Sequence, residues 1–270
     1  MARGRKPKIS YAVADNLRFR YQDNAKVGSK TLLFLHGLGG SIEGWVNNVV
    51  NLSSKYRTIV FDLPGFGLSD KPNRNYTIGF FSSFVLHAIQ ELGVGLPINV
   101  IGSSLGGQIA ANIAITSPHI VTKLILISPA GFTPRSFLSS CGLRKYAGII
   151  DATSRLQVKK ALSQTAKSED TMDKDADVVL KRMALPGAKN AFTSSLKYST
   201  SARRLNAHRI KSHTLVIWGK EDRIIPIKFV HPFMTMRNCR LLLLEDCGHR
   251  PHAEKPIIIN RIIKSFIEEN

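Results

Sequence analysis

Cysteine is scarce in this chain, and long hydrophobic stretches are absent. Three cysteines occur in 270 residues. The spacing of Cys141, Cys239 and Cys247 matches no metal or redox motif, so we expect free thiols in a reducing compartment. No apolar run approaches the roughly 18 residues of a membrane span, and the basic segment 1–8 is not followed by the apolar region of a secretory signal. We therefore predict a cytoplasmic protein with no transmembrane segment.

Acidic residues are half as frequent as basic ones. The 19 Asp and Glu residues stand against 38 Lys and Arg, which gives a formal net charge of +19. The segment 135–211 holds sixteen basic and six acidic residues, so it carries +10 of this charge. A basic surface of this kind could bind nucleic acid, anionic lipid or an acidic substrate, but a solvated helical surface needs no partner. Because no nucleic-acid-binding motif accompanies the lysines, which specify little alone, we expect no nucleic-acid partner.

Short apolar runs alternate with helical patterns along most of the chain. Runs typical of buried parallel strands lie at 31–35, 57–62, 97–101, 121–128, 213–219 and 239–245. Helical patterns lie at 41–52, where Ser41 is a candidate cap, and at 77–92, 107–114, 226–236 and 256–269. The segments 8–13 and 16–21 alternate polar and apolar residues, which predicts two antiparallel strands. The whole pattern predicts a mostly parallel sheet with helices on both faces.

The alternation stops between residues 131 and 210. This stretch contains only helical patterns, at 156–165, 173–185 and 189–199, before the strands resume. We therefore predict a helical cap, 131–210, inserted into a core domain formed by 1–130 and 211–270.

The segment Gly102-Ser103-Ser104-Leu105-Gly106 joins a predicted strand to a predicted helix. The pattern G-x-S-x-G at such a junction is typical of a sharp turn that exposes a serine hydroxyl. We expect Ser104 to have a strained backbone. Glycine is expected at positions 102 and 106 because a Cβ atom at either position would collide where strand and helix cross.

A serine hydroxyl needs a base and an orienting acid, and both are found after predicted strands. His249 follows the last strand, and Gly248 before it permits a sharp turn. His252 is the rival base. Asp222 follows the preceding strand and is the candidate acid, with Glu221 and Asp246 as weaker alternatives.

A tetrahedral intermediate needs two N–H donors for its oxyanion. The Leu105 amide would lie at the N-terminus of the helix after the serine, where the helix dipole favours negative charge. The second donor is expected in the turn after His36, with Leu38 as our choice and Gly39 as the alternative. His36 itself is interpreted as structural or solvent-facing.

The order Ser104, Asp222, His249, with His36-Gly37 upstream and Asp62-Leu-Pro-Gly-Phe-Gly-Leu-Ser69 between, resembles the α/β-hydrolase family. The resemblance implies an eight-stranded, mostly parallel sheet with helices on both faces and a helical cap after the sixth strand. It also implies Ser104 as nucleophile, His249 as base and Asp222 as its partner. Leu38 and Leu105 would be the oxyanion donors. No cofactor or metal is implied.

The family contains several chemistries, and residue type narrows them. Members that resemble dehalogenases and epoxide hydrolases have aspartate in place of Ser104, so a serine favours acyl transfer to water. We predict a carboxylesterase for small or medium acyl esters, including lactones. The alternative is cleavage of carbon–carbon bonds in ring-fission products, although enzymes of that type usually have tryptophan where Arg250 stands.

Two further alternatives lie outside catalysis, namely a ligand-binding protein and an anionic-surface binder. The predicted partner is a small-molecule acyl ester, and homo-oligomerisation is left open. The cap contributes apolar side chains that could cover an acyl chain or simply pack onto the core: Phe132, Phe137, Leu138, Leu143, Tyr146 and Phe192.

Overall fold

The computed structural model describes residues 8–133, 141–165 and 169–269. Within these residues eight strands form one sheet in the order β1-β2-β4-β3-β5-β6-β7-β8. The strands are β1 (Lys8–Ala14), β2 (Leu17–Asp23), β3 (Thr31–Leu35), β4 (Arg57–Phe61), β5 (Ile98–Ser103), β6 (Val121–Ile127), β7 (His213–Gly219) and β8 (Cys239–Leu244). The pairs β1–β2 and β2–β4 are antiparallel, and all other pairs are parallel. The predicted fold class is confirmed.

Helices cover both faces of this sheet because its strands alternate their side chains between two apolar layers. In β3, Leu33 points into one layer and Phe34 into the other. The Leu33 layer packs against α2 (Ile78–Glu91) and α3 (Leu105–Thr116), and the Phe34 layer packs against α1 (Val46–Leu52) and α10 (Pro256–Glu268). The predicted strands at 31–35 and 213–219 agree with β3 and β7 to the residue.

Two predicted helices differ from the structure. The predicted helix 41–52 begins with a 3₁₀ turn, Ile42–Trp45, before α1, and the Ser41 side chain makes no capping hydrogen bond. The Asp62 carboxylate instead accepts from the Ile42 amide at 2.8 Å. The predicted helix 226–236 is divided into a 3₁₀ turn, Ile227–Val230, and the short α8 (His231–Met234). Pro232 explains the division, since a proline lacks the N–H group that would continue the helix.

Between β6 and β7 the described chain is helical. It contains α4 (Cys141–Ala147), α5 (Arg155–Leu162), α6 (Glu169–Met183) and α7 (Ala188–Ser201). The side chains of Phe132 and Phe192 are fully buried, so they pack the cap onto the core, whereas Phe137 and Leu138 lie outside the described residues. The cap boundaries at 131 and 210 stay a prediction.

A short helix α9 (Pro251–Glu254) precedes α10. No helix in the described ranges is long and apolar enough to span a membrane.

Candidate active site

The junction between β5 and α3 holds Ser104 in a strained conformation. Its φ of 54° and ψ of −116° lie outside the ordinary helical and extended regions. Backbone hydrogen bonds hold the residue there, since Ser104 N donates to Ile127 O at 3.0 Å and Ser104 O accepts from Ala130 N at 3.0 Å. The predicted strain at Ser104 is therefore present, and the surrounding backbone enforces it.

The flanking glycines are required by close backbone contacts. A Cβ atom on Gly102 would lie 2.3 Å from the Gly106 carbonyl oxygen. A Cβ atom on Gly106 would lie 2.2 Å from the Leu35 carbonyl oxygen. The first contact is the predicted collision of strand with helix, whereas the second involves the neighbouring strand β3.

His249 and Asp222 form a buried hydrogen-bonded pair at the carboxyl ends of β8 and β7. The distance between His249 Nδ1 and Asp222 Oδ2 is 2.7 Å. The other carboxylate oxygen, Oδ1, accepts from the amides of Ile224 and Ile225 at 2.9 and 2.8 Å. With its Nδ1 proton directed at the carboxylate, the imidazole keeps a lone pair on Nε2 for use as a base. The cap holds the same loop, because His249 N donates to Thr165 O at 3.0 Å.

The rival candidates occupy other positions. His252 stacks on Trp45, with ring centroids 4.1 Å apart, and burial lowers its pKa well below the ordinary value. Glu221 accepts a hydrogen bond from the Cys247 amide at 2.7 Å, which directs its carboxylate toward the loop backbone. Asp222 is therefore the carboxylate that contacts the imidazole of His249.

Ser104 and His249 line one cavity of about 570 Å³, together with the turn His36 to Gly40. Gly37 lies directly against the serine, since a Cβ atom on Gly37 would be 3.1 Å from Ser104 Cβ and 3.7 Å from Ser104 Oγ. The structure thus brings the candidate nucleophile, the candidate base and the candidate oxyanion turn to one space.

The turn after His36 has a fixed peptide orientation. The Gly37 carbonyl accepts from Gly40 N at 3.0 Å and contacts His36 Nδ1 at 2.8 Å. The Gly37 carbonyl and the Leu38 N–H belong to one peptide group, and in a trans peptide the C=O and N–H point in opposite directions. These contacts therefore direct the Leu38 N–H away from Gly40 N and the His36 ring. On α3, the Leu105 amide is the first of the helix and has no acceptor within it.

Of the two interpretations given for His36, structural or solvent-facing, the buried side chain fits the structural one. Its Nε2 accepts from the Leu63 amide at 3.0 Å, so the Nδ1 proton is left for the Gly37 carbonyl. Burial lowers the pKa of the imidazole below its ordinary value and keeps it neutral.

The cap residue Tyr146 contacts the same turn, a contact that was not expected from the sequence. The Tyr146 hydroxyl donates to the Leu38 carbonyl at 2.6 Å. Burial raises the pKa of Tyr146 to about 12, so the hydroxyl stays protonated. No local pattern in the sequence could have predicted this contact, since 108 residues separate the partners.

Two cap-to-core ion pairs lie at the cavity wall. Arg182 of α6 pairs with Glu43 at 2.7 Å, and Glu43 also pairs with Arg20 at 2.9 Å. Burial alone would raise the pKa of Glu43, but the hydrogen bond from Arg20 and the charge of Arg182 outweigh it and lower the pKa to about 2. Arg250, directly after His249, pairs with Asp175 of α6. Both guanidinium groups that line the cavity from these positions are therefore charge-compensated.

Comparisons with known proteins agree with this geometry. The family model for the α/β hydrolase fold matches residues 30–256. The chain is 27% identical to a relative in Cupriavidus necator, in an alignment of 264 positions that covers 95% of this chain and 68% of the relative. That relative is the dihydrolipoyllysine-residue acetyltransferase component of an acetoin cleaving system.

A second relative, from Paraburkholderia phymatum, is a 2-hydroxy-6-oxononadienedioate/2-hydroxy-6-oxononatrienedioate hydrolase. It is 27% identical over 266 residues, which cover 93% of this chain and 91% of the relative. Among solved structures, a bacterial membrane phospholipase A superposes with a TM-score of 0.85 at 24% identity, covering 97% of this chain and 86% of that one. The chain belongs to the α/β-hydrolase fold family.

Proposed function

We propose that the protein hydrolyses carboxylic esters through an acyl-enzyme formed on Ser104. The observation that carries the proposal is the shared cavity, which Ser104 lines together with an imidazole whose Nδ1 is bound to a buried carboxylate. A nucleophile, a base and an orienting acid are the three parts that this reaction requires.

In the first half of the reaction, Ser104 Oγ attacks the ester carbonyl carbon while His249 Nε2 takes the hydroxyl proton. Asp222 stabilises the imidazolium that forms. The amides of Leu38 and Leu105 donate to the oxyanion, and each such donor contributes roughly 3–4 kcal/mol to lowering the barrier. His249 then gives its proton to the departing alkoxide, and a water repeats the sequence to release the acid and restore the serine.

The charge of the cavity favours a neutral substrate. Arg182 and Arg250 line it, but Glu43 and Asp175 neutralise them. Apolar side chains between β6 and β7 also line the cavity, among them Leu143, Leu162 and Val179. Such a cavity suits an uncharged acyl ester of small or medium length, or a lactone, because binding there removes the apolar surface of the substrate from water.

The second candidate is hydrolysis of a carbon–carbon bond on the same triad. The comparisons support it as well as they support ester hydrolysis, because the Paraburkholderia phymatum relative acts on a dioate substrate. A dicarboxylate would bring two negative charges into a cavity whose two arginines already pair with Glu43 and Asp175. The charge of the acyl group therefore distinguishes the two candidates.

One activity panel tests the proposal. Purified protein is assayed with p-nitrophenyl acyl esters of increasing chain length, a lactone and a ring-fission dienoate. We expect turnover of an ester or lactone, abolished by Ser104→Ala and retained by Ser117→Ala at the other end of α3. Turnover of the dienoate alone would replace ester hydrolysis by the second candidate, and full ester turnover by Ser104→Ala would refute both.

A further inference from the structure

The carboxylate of Glu254 holds the two peptide groups that flank His249. Its Oε1 atom accepts from Gly248 N at 3.1 Å and from Arg250 N at 3.2 Å, and its Oε2 atom accepts from Gly248 N at 3.2 Å. Glu254 is the last residue of α9, which follows this loop directly. One side chain therefore contacts the chain immediately before and immediately after the candidate base.

The remaining amides of the loop also have acceptors. His249 N donates to Thr165 O at 3.0 Å. Glu221, next to the candidate acid, accepts from Asp246 N at 3.3 Å and from Cys247 N at 2.7 Å. Every backbone N–H from residue 246 to residue 250 is thus hydrogen-bonded, which fixes the path of the loop.

The loop needs these bonds because its own sequence permits other paths. Asp246 has a left-handed φ of 47°, which a residue other than glycine keeps only where its surroundings enforce it. Gly248 has no side chain to limit its rotation. A rotation of the peptide groups beside His249 would move the imidazole, whose Nε2 must come within hydrogen-bond reach of the Ser104 hydroxyl to act as its base.

Helix capping alone does not account for both contacts. Arg250 is the N-cap residue of α9, and an acidic side chain in the first turn of a helix commonly accepts from the N-cap amide. That arrangement explains the bond from Arg250 N. Gly248 lies two residues before the cap, so the bond from Gly248 N stabilises the loop of the candidate base and not the helix.

We infer that Glu254 is a positioning residue, which orients His249 toward Ser104 through the two flanking peptide groups. Glu254 lines the cavity, but both of its carboxylate oxygens accept from the loop backbone, so its effect on turnover passes through His249. The inference rests on the proposed function, because it requires His249 to act as the base. It adds a requirement on the side chain at position 254, which must be long enough to reach both amides.

Three substitutions of Glu254 separate the hydrogen bonds from the charge. Steady-state kinetics are measured with the best substrate of the activity panel. Glu254→Gln keeps an oxygen for both amides and removes the charge, so its kcat should stay close to that of the parent. Glu254→Asp keeps the charge but is one methylene shorter, and Glu254→Ala has no acceptor. Both should lower kcat, by about 100-fold for a displacement of about 1 Å, and leave KM unchanged.

A glutamate at the opposite end of the sheet provides the matched control. Glu91 is exposed at the end of α2, the helix that leads into β5, whereas Ser104 follows the other end of that strand. Glu91→Ala should leave kcat and KM unchanged. Thermal unfolding of each variant sets an assay temperature at which all of them are folded. If Glu254→Ala does not fold, the comparison of Glu254→Gln with Glu254→Asp decides the test.

Three results would overturn the inference. They are a kcat for Glu254→Asp equal to that of the parent, an equal loss of kcat in Glu254→Gln and Glu254→Asp, or a change in KM alone. The proposed function fails in a different way, through turnover that survives Ser104→Ala. Turnover that needs Ser104 but tolerates Glu254→Asp refutes only the role of Glu254.

Discussion

Replacement of Asp222 by asparagine tests the hydrogen-bond arrangement of the triad. Asp222 Oδ1 accepts from two backbone amides, Ile224 N and Ile225 N. In Asp222→Asn the amide oxygen must stay with these donors, so the NH₂ group faces His249 Nδ1. The imidazole then has to present a lone pair at Nδ1 and a proton at Nε2, which removes the base for Ser104.

The expected loss is large and specific to kcat. A wrong tautomer of this kind lowers kcat by about 10⁴-fold, which corresponds to about 5.4 kcal/mol at 1.36 kcal/mol per tenfold change in rate. The assay is steady-state hydrolysis of the best ester from the activity panel, with thermal unfolding measured on the same sample. Glu245→Gln is the control, since it removes an exposed carboxylate that lies close to the same loops and pairs with Lys220. A kcat for Asp222→Asn within about tenfold of the parent would refute the tautomer argument.

Two further predictions concern contacts between the cap and the core. Tyr146→Phe removes the hydrogen bond to the Leu38 carbonyl, worth about 0.5–1.5 kcal/mol. It should lower kcat by up to about tenfold, and an unchanged kcat would show that the hydroxyl does not hold the turn. Glu43→Gln should lower the melting temperature at neutral pH. The folded-state pKa of Glu43 is about 2 against an ordinary 4.5, so the carboxylate stabilises the fold above 4.5 and this contribution is lost as the pH falls toward 2. Equal melting-temperature differences at pH 7 and pH 2 would contradict this.

The parts of the molecule that could be predicted from sequence are those set by local pattern. The apolar runs that became β3 and β7 are continuous, and both strands end where a loop of the candidate site begins. The G-x-S-x-G segment specified its own turn, because a Cβ atom at position 102 would lie only 2.3 Å from the Gly106 carbonyl oxygen and glycine has none. The roles of Ser104, Asp222 and His249 stay predictions until activity is measured.

The parts that could not be predicted depend on contacts between distant segments. Ser41 is a good N-cap by residue type, yet Asp62, twenty residues later than Ile42, takes that role. The cap contacts made by Tyr146, Thr165 and Arg182 connect the site to residues far along the chain. No helical or strand periodicity encodes such a pairing, because it is decided by how the cap packs on the sheet.

The central claim is that a covalent acyl intermediate forms on Ser104. The most direct measurement is rapid quenching of the protein with a slowly hydrolysed ester, followed by peptide mass spectrometry. We predict that the acyl group is found on the peptide that contains Ser104, and that His249→Ala suppresses its formation. An acyl group on a different residue, or turnover of the ester with no covalent adduct at any time, would contradict the account.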